Sequence, residues 1–234
     1  MIYFDHLPLD KEILDALGKL SINYVFQPIF YPDGKTIYAR EALMRPTQMT
    51  ITELINLYTK DDNLHVLEVA TFFGAMQAWE LRGYTELISM NSFPSDNFTA
   101  EESQAFNDYY GDKSGSAIIE ILEYPYVSEE SCIIKKEACK RQNLQIAIDD
   151  FGSGVSNMDL VELCDPDIVK LDRDFISDID RDPAKLETAV ALIDRFHSRA
   201  MRVIAEGVET KSEFEKLKDL RVDYYQGYYL GRPV

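Results

Sequence analysis

The chain has 234 residues, of which 46% are hydrophobic and 28% charged, which is the composition of a folded globular domain rather than a disordered segment. With 41 acidic residues against 24 basic ones, the net charge of −17 argues against broad electrostatic binding to a polymeric nucleic acid. No apolar run is long enough to span a membrane, and the N-terminus does not resemble a signal peptide. The 3 cysteines show neither the spacing of a disulfide framework nor that of a zinc site. We therefore expect a cytoplasmic protein.

Short β-branched and aromatic runs alternate along the chain with amphipathic stretches. The predicted strands are residues 24–28, 37–44, 87–91, 117–122, 145–149, 168–171, 202–206 and 223–226. The predicted helices are residues 9–20, 51–58, 64–81, 101–109, 128–141, 155–163, 183–199 and 210–220. Strands that alternate with helices form parallel sheets with right-handed crossovers, so we predict an α/β fold.

The first two predicted strands break this alternation. Residues 31–35 connect them, and this turn-rich segment is too short for a crossover helix, so the two strands should pair as an antiparallel hairpin. The sequence therefore predicts one domain over residues 1–234, a (β/α)8 barrel of the TIM type with one antiparallel strand near the N-terminus. An open, doubly wound sheet is the alternative.

Polar side chains stand at the ends of the predicted parallel strands. They are Asn91, Glu120 with Glu123, Asp149 with Asp150, Lys170 with Asp172, Glu206 and Gln226. Each could merely begin a turn or cap the next helix, because Asp and Asn are common there. In a barrel, however, the C-terminal ends of the strands surround one site, and the recurrence at successive strands predicts that these side chains converge.

The types of these residues indicate a particular chemistry. Carboxylate and amide oxygens are hard ligands that suit Mg²⁺ or Mn²⁺, whereas His6, His65 and His197 are scattered and are expected at the surface or in packing. Two divalent ions would convert mutually repelling carboxylates into a clamp that activates water and neutralises phosphoryl charge. Lys170 would hydrogen-bond the nucleophile or offset phosphate charge. The pattern by itself thus supports a site for hard divalent cations on an α/β barrel, with residue types that fit phosphoryl chemistry.

A series of motifs carries a resemblance to a known family. In chain order they are Gln27-Pro28-Ile29, Glu41-Ala42-Leu43 with Arg45, Asn91, Glu120-Ile121-Leu122-Glu123, Asp149-Asp150-Phe151-Gly152-Ser153-Gly154, Asp167-Ile168-Val169-Lys170-Leu171-Asp172, Ala205-Glu206-Gly207-Val208-Glu209-Thr210 and Gln226-Gly227-Tyr228. Together they resemble the EAL-domain family of cyclic di-GMP phosphodiesterases. The resemblance runs from about residue 20 to the end of the chain.

The resemblance implies a role for each matching residue. The implied ligands of a first metal ion are Glu41, Asn91, Glu120 and Asp149, and those of a second are Asp149, Asp150 and Glu206. The implied catalytic residues are Lys170, Glu41 and Glu206. The implied substrate-binding residues are Gln27, Arg45, Asp172 and Gln226, the last at the rim, while Glu123 would brace the double-aspartate loop. The implied reaction is hydrolysis of cyclic di-GMP to linear pGpG with two Mg²⁺ or Mn²⁺ ions, in a homodimer that meets through the helix at residues 155–163.

Several features differ from the family pattern. Pro46 stands where a tryptophan is usual, Phe93 where a small polar residue is common, and Ser153 where threonine is usual. Residues 46–90 are compact, and the sequence ends at Val234 without the final helix that is customary in the family. A catalytically silent cyclic di-GMP receptor and a protein-interaction module are the alternatives to an enzyme. Both are less favoured, because every expected metal ligand and Lys170 are present, as are Gln27 and Arg45.

Overall fold

The computed structural model describes residues 2–111, 117–152 and 158–234. The strands are β1 (Ile22–Phe30), β2 (Ile37–Pro46), β3 (Leu87–Ser92), β4 (Ala117–Ile121), β5 (Gln145–Phe151), β6 (Ile168–Leu171), β7 (Arg202–Ala205) and β8 (Tyr224–Tyr225). They form a closed barrel in chain order, in which β8 pairs back onto β1. The (β/α)8 barrel is confirmed, and the alternative of an open sheet is wrong.

Helices connect the parallel strands, as the alternating pattern predicts. They are α1 (Lys11–Leu17), α2 (Ile51–Lys60), α3 (Leu64–Leu81), α4 (Ala100–Tyr110), α5 (Glu129–Gln142), α6 (Met158–Cys164), α7 (Arg173–Ile176), α8 (Pro183–Ser198) and α9 (Lys211–Asp219). The short α7 was not predicted, and residues 155–157 of the predicted helix 155–163 lie outside the described residues. In the described part of the chain, no helix is both long and apolar enough to cross a lipid bilayer.

The antiparallel hairpin near the N-terminus is confirmed. β1 and β2 pair antiparallel with Gln27 opposite Glu41, whereas each successive pair from β2–β3 to β7–β8 is parallel. β1 also closes the barrel through an antiparallel pairing of Phe30 with Tyr225. The backbone of Val234 exchanges hydrogen bonds with that of Phe26, so the last residue extends the pairing along β1.

The barrel interior is layered, and the layering positions the polar residues. A buried apolar cluster inside the barrel includes Ala39, Ile118, Ala147, Ile168 and Ile204. Two positions further along the same strands, or just beyond the strand end, stand Glu41, Glu120, Asp149, Lys170 and Glu206. Side chains on a strand return to the same face every two residues, so the polar set lies one layer above the apolar one, at the C-terminal ends.

The opposite, N-terminal end of the barrel is closed by its own side chains. The rings of Tyr38 and Tyr224 stack with centroids 3.8 Å apart, and the guanidinium of Arg202 donates to the Tyr224 hydroxyl at 3.1 Å and to Gln145 Oε1 at 2.6 Å. The Tyr38 hydroxyl also donates to Gln145 Oε1, at 2.7 Å. These groups satisfy one another and fill that end.

His65 links two helices at the side of the barrel. Its Nδ1 lies 2.7 Å from Asp96 Oδ1, and its Nε2 lies 2.9 Å from Glu102 Oε1. The hydrogen bonds to Asp96 and Glu102 raise the pKa of His65 to about 10, against the opposing effect of burial. A protonated imidazole therefore bridges the start of α3 to the start of α4.

Candidate active site

Lys170 lies at the centre of the polar layer. Its Nζ is 2.8 Å from Glu120 Oε2, 2.7 Å from Asp149 Oδ1 and 2.8 Å from Glu206 Oε1, and 3.5 Å from Glu41 Oε2. The Lys170 side chain is only 1% exposed. A single ammonium cannot balance all of these carboxylates, so ionisation of every one of them would leave the site with excess negative charge.

The pKa values reflect this crowding. Burial raises the pKa of Glu120 to about 8 against the opposing effect of Lys170, and it also raises the pKa of Asp149 and, well above its usual range, that of Glu206. Burial followed by the charge of Asp149 raises the pKa of Asp150 to about 7. Burial by itself lowers the pKa of Lys170, but Asp149 and the other carboxylates raise it well above its ordinary value. Added positive charge would stabilise the ionised carboxylates.

A bulge in β5 directs both aspartates to the site. Asp149 and Asp150 are consecutive and would point to opposite faces of a regular strand. The pairing of β5 with β6 is irregular between Ile148 and Phe151, and Asp150 adopts a left-handed backbone conformation with φ of 47°. Bulges re-aim side chains in this way, and aspartate tolerates the left-handed region better than most residues. The consequence is that the two carboxylates lie close together.

The carboxylates form two groups that share Asp149. Within each group, one oxygen from every member lies within 4.8 Å of the others, and the groups are Glu41, Glu120, Asp149 and Asp149, Asp150, Glu206. These match the two sets of metal ligands expected from the sequence, apart from Asn91. All the oxygens are hard donors, so the residues fit a pair of divalent cations.

Asn91 completes the first group by its position. Its Nδ2 donates to Glu41 Oε1 at 3.3 Å, whereas its buried Oδ1 has no hydrogen-bond partner among the described residues. A buried carbonyl oxygen without a donor is costly and requires an explanation. A cation bound beside Glu41 would satisfy it, so this orphaned oxygen is a second indication that the site fits a metal ion.

An open cavity of about 300 Å³ lies above the carboxylates. Its lining includes Gln27, Asp172 and Gln226, which the sequence predicts to bind substrate, together with Glu41, Asp150 and Glu206. Gln27 Nε2 donates to the Gly231 carbonyl at 3.3 Å. Asp172 is also the N-cap of α7, where its side chain accepts from the Asp174 amide at 2.8 Å.

Gln226 lies deeper than the rim position that the sequence led us to expect. It is 2% exposed, and its Nε2 donates to Glu41 Oε2 at 2.5 Å. Its Oε1 is buried without a hydrogen-bond partner in the described part of the chain. Gln226 therefore orients Glu41 directly while it also lines the cavity.

Arg45 does not line the same cavity. It is exposed, donates to the Met44 carbonyl at 3.0 Å and lines a neighbouring cavity of about 150 Å³, which Asn91 also borders. Phe93 is buried there with its ring 5.3 Å from that of Tyr124, which explains why an aromatic residue is accommodated at this position.

Glu123 was expected to support the loop that follows Asp149 and Asp150, but the structure describes only part of that loop. Glu123 is half-buried, just beyond β4. Ser153, Gly154 and the rest of residues 153–157 lie outside the described residues. The role of Glu123 as loop support therefore stays a prediction, as does any effect of serine at position 153.

Two charged residues near the site were missed by the sequence reasoning. Arg173 Nη1 donates to the Gly207 carbonyl at 2.7 Å and its Nη2 lies 3.0 Å from Glu209, so Arg173 holds the loop that follows Glu206. Glu68 in α3 is 1% exposed and accepts from the Phe93 amide at 2.9 Å, directly after β3. Glu68 was detectable as an acid that interrupts an apolar stretch of α3, because a buried charge there requires partners.

The comparisons with known proteins agree with this geometry. The family model described as EAL domain matches residues 10–233. Cyclic di-GMP phosphodiesterase NbdA of Pseudomonas aeruginosa is 34% identical over 248 residues, which cover 97% of this chain and 31% of that protein. Biofilm architecture maintenance protein MbaA of Vibrio cholerae is 25% identical over 242 residues, covering 97% of this chain and 30% of that protein. The chain thus spans under a third of the length of these relatives.

Solved structures share the fold. A standalone EAL protein from Vibrio cholerae O395, solved in a c-di-GMP bound form, is 26% identical with a TM-score of 0.81, covering 92% of this chain and 93% of that one. The manganese and cyclic di-GMP complex of Klebsiella pneumoniae BlrP1 is 21% identical with a TM-score of 0.75, covering 92% of this chain and 56% of that one, and this likeness concerns the fold alone. With a family match across nearly its whole length and the carboxylate-ringed barrel described above, the chain belongs to the EAL domain family.

Proposed function

We propose that the chain hydrolyses cyclic di-GMP to linear pGpG with the help of two divalent cations, Mg²⁺ or Mn²⁺. The observation that carries the proposal is the pair of carboxylate groups that share Asp149 beneath an open cavity. The relatives support it, because NbdA is named a cyclic di-GMP phosphodiesterase and the standalone EAL protein of Vibrio cholerae was solved in a c-di-GMP bound form.

The chain provides a separate set of ligands for each cation, and the two sets share Asp149. The proposed ligands of the first are Glu41, Asn91, Glu120 and Asp149, and those of the second are Asp149, Asp150 and Glu206. When bound, such ions lower the pKa of a coordinated water and neutralise charge on the phosphodiester. Gln226 would keep Glu41 in place through the hydrogen bond at 2.5 Å.

Lys170 would act as a hydrogen-bond donor rather than as a base. Its Nζ donates to Glu120 and Asp149, and the neighbouring carboxylates raise its pKa, which favours the protonated form. From the centre of the polar layer it can orient the attacking water or donate to a phosphate oxygen. Water would then attack one phosphorus in line and give up a proton, while the P–O bond to the leaving oxygen breaks and that oxygen takes up a proton, which opens the cyclic dinucleotide.

Residues around the cavity would hold the substrate. Gln27, Asp172 and Gln226 line it and offer amide and carboxylate groups. The exposed guanidinium of Arg45 suits the oxygens of a phosphate on the part of the ligand that extends beyond this cavity. Glu123 would brace the loop after Asp150.

The test is direct incubation of the purified chain with cyclic di-GMP and either Mn²⁺ or Mg²⁺, followed by chromatography. We expect linear pGpG from the unmodified chain and loss of product, by at least about 100-fold, in Lys170→Ala and Glu41→Ala variants, as typical for removal of a catalytic group. Lys140→Ala is a matched control, because Lys140 is exposed on α5, and it should retain full turnover. Tight cyclic di-GMP binding without product would contradict the enzyme and support a silent receptor.

We also propose that the chain forms a homodimer through the region of residues 155–163, of which the structure describes the part within α6. The family resemblance supports this proposal. Light scattering coupled to size-exclusion chromatography should show twice the chain mass, and turnover per chain should fall on dilution. A monomer with turnover independent of concentration would contradict it.

A further inference from the structure

Ser89 contacts the candidate site from below. It lies in β3, is fully buried, and its Oγ donates a hydrogen bond to Glu120 Oε1. The other oxygen of the same carboxylate, Oε2, accepts from Lys170 Nζ at 2.8 Å. Asn91 pairs with Glu120 in the β3–β4 ladder, and Ser89 stands two residues before Asn91. Ser89 therefore faces the barrel interior one layer beneath Asn91.

The hydrogen bond constrains a torsion that is otherwise soft. The terminal torsion of a glutamate is broad and nearly two-fold, so packing alone does not determine which oxygen faces a ligand. Glu120 is 0% exposed, and its Oε1 is held by Ser89 while its Oε2 faces Lys170 and the other carboxylates. A hydroxyl serves this purpose without adding a positive charge that would compete with a bound cation.

We propose that Ser89 is a positioning residue that sets the metal affinity of the site by orienting Glu120. This inference rests on the proposed function, because it takes Glu120 as a metal ligand. Partners that orient metal-binding carboxylates typically change metal affinity about 10- to 100-fold when removed. Ser89 is not among the residues that line the cavity above the carboxylates, so its effect should be transmitted through Glu120.

The experiment measures Mn²⁺ binding directly, by calorimetry or by the electron paramagnetic resonance signal of free Mn²⁺, in parallel with turnover. In Ser89→Ala we expect the Kd for Mn²⁺ to rise about 10- to 100-fold. Turnover at saturating Mn²⁺ should stay within about threefold of the unmodified chain, because the loss lies in metal affinity. Ser89→Thr keeps the hydroxyl and should restore most of the affinity, and Ser89→Cys, a weak donor of similar size, should be intermediate.

Ser131→Ala is the matched control. Ser131 is also buried, at 4% exposure, and its hydroxyl donates to the Asp96 carbonyl at 3.0 Å, away from the carboxylates. This variant loses an equivalent hydroxyl, and its Mn²⁺ affinity should not change. If both Ser89→Ala and Ser131→Ala weaken Mn²⁺ binding equally, the effect is general destabilisation and the proposal is wrong.

A double-mutant cycle with Glu120→Gln separates positioning from simple packing. If Ser89 acts through the Glu120 carboxylate, adding Ser89→Ala to Glu120→Gln should cause little further loss of Mn²⁺ affinity. A loss as large as in the unmodified background would overturn the proposal. The failure of the proposed function and the failure of this inference are distinguishable. An unmodified chain that binds no Mn²⁺ contradicts the proposed function, whereas an active chain in which Ser89→Ala leaves the Mn²⁺ affinity unchanged contradicts only the role of Ser89.

Discussion

Replacement of Glu68 by glutamine should destabilise the barrel strongly. Glu68 Oε1 accepts from Lys135 Nζ at 2.7 Å and from Ser92 Oγ at 2.5 Å, and Oε2 accepts from the Phe93 amide at 2.9 Å. The side chains of Glu68 and Lys135 are 1% and 9% exposed. Glutamine preserves shape but leaves the Lys135 ammonium buried without its counter-charge.

The size of the effect follows from this burial. Removing one partner of a buried ion pair costs about 3–5 kcal/mol in the free energy of unfolding. For a domain of this size each kcal/mol lowers Tm by about 2–4 °C, so Glu68→Gln should lower Tm by roughly 6–20 °C. Lys135→Met should also be destabilising, because it leaves the Glu68 carboxylate buried without a counter-charge, although Glu68 keeps its hydrogen bonds from Ser92 and Phe93.

Urea and thermal unfolding of a small set of variants test the reasoning. The double variant Glu68→Gln/Lys135→Met should be more stable than Glu68→Gln alone, since it removes the orphaned ammonium. Glu137→Gln, an exposed change on α5, is the control and should remain within about 0.5 kcal/mol of the unmodified chain. The explanation fails if Glu68→Gln costs under about 1 kcal/mol, or if the double variant is no more stable than the single one.

Two further predictions concern pH and backbone conformation. The pKa of His65 is about 10 in the folded chain against 6.5 without its partners, so its stabilisation is complete below pH 6.5 and is lost as the pH rises towards 10. The stability difference between the unmodified chain and His65→Gln should accordingly shrink between pH 6 and pH 9 in urea unfolding, and a constant difference would contradict this assignment. Gly207 has φ of 69°, and a Cβ there would lie 2.6 Å from Arg173 Cβ, so Gly207→Ala should impair both stability and turnover. Gly83→Ala is the control, because Gly83 has φ of 67° but a Cβ added there would have no other atom within 4 Å. In this control only the free energy of unfolding should fall, by about 1 kcal/mol. Equal effects of the two changes on turnover would refute the role of the Gly207 contact.

Local sequence was sufficient for the order of the elements. The limits of α3 and β6 were predicted at the residues where the structure has them, because a predominantly apolar stretch identifies a buried helix or strand without knowledge of its neighbours. α1 is shorter than expected, since Asp10 caps its start and Gly18 follows its end. The short α7 was missed, because it is a single turn that depends on its Asp172 cap.

The candidate site was predictable as a set of residue types but not as a geometry. A carboxylate or amine at successive strand ends predicts convergence, because strands in a barrel end on one face. However, Asp149 and Asp150 both face the site only because the pairing of β5 with β6 is irregular and the backbone of Asp150 is left-handed. Two-residue periodicity alone assigns them to opposite faces.

The sequence by itself therefore indicated the alternation of strands and helices, the antiparallel first hairpin and the polar residues at the strand ends, since these follow from local periodicity and from short connections. The assignment of individual metal ligands came from the family resemblance, and the closure of the sheet into a barrel from the structure. Only the tertiary structure decided which side chains form hydrogen bonds with the carboxylates of the site. The hydrogen bond of Ser89 to Glu120 and the burial of Gln226 against Glu41 join residues far apart in the chain. Such contacts depend on strand register and on the depth of each layer, and the closure of the barrel establishes both.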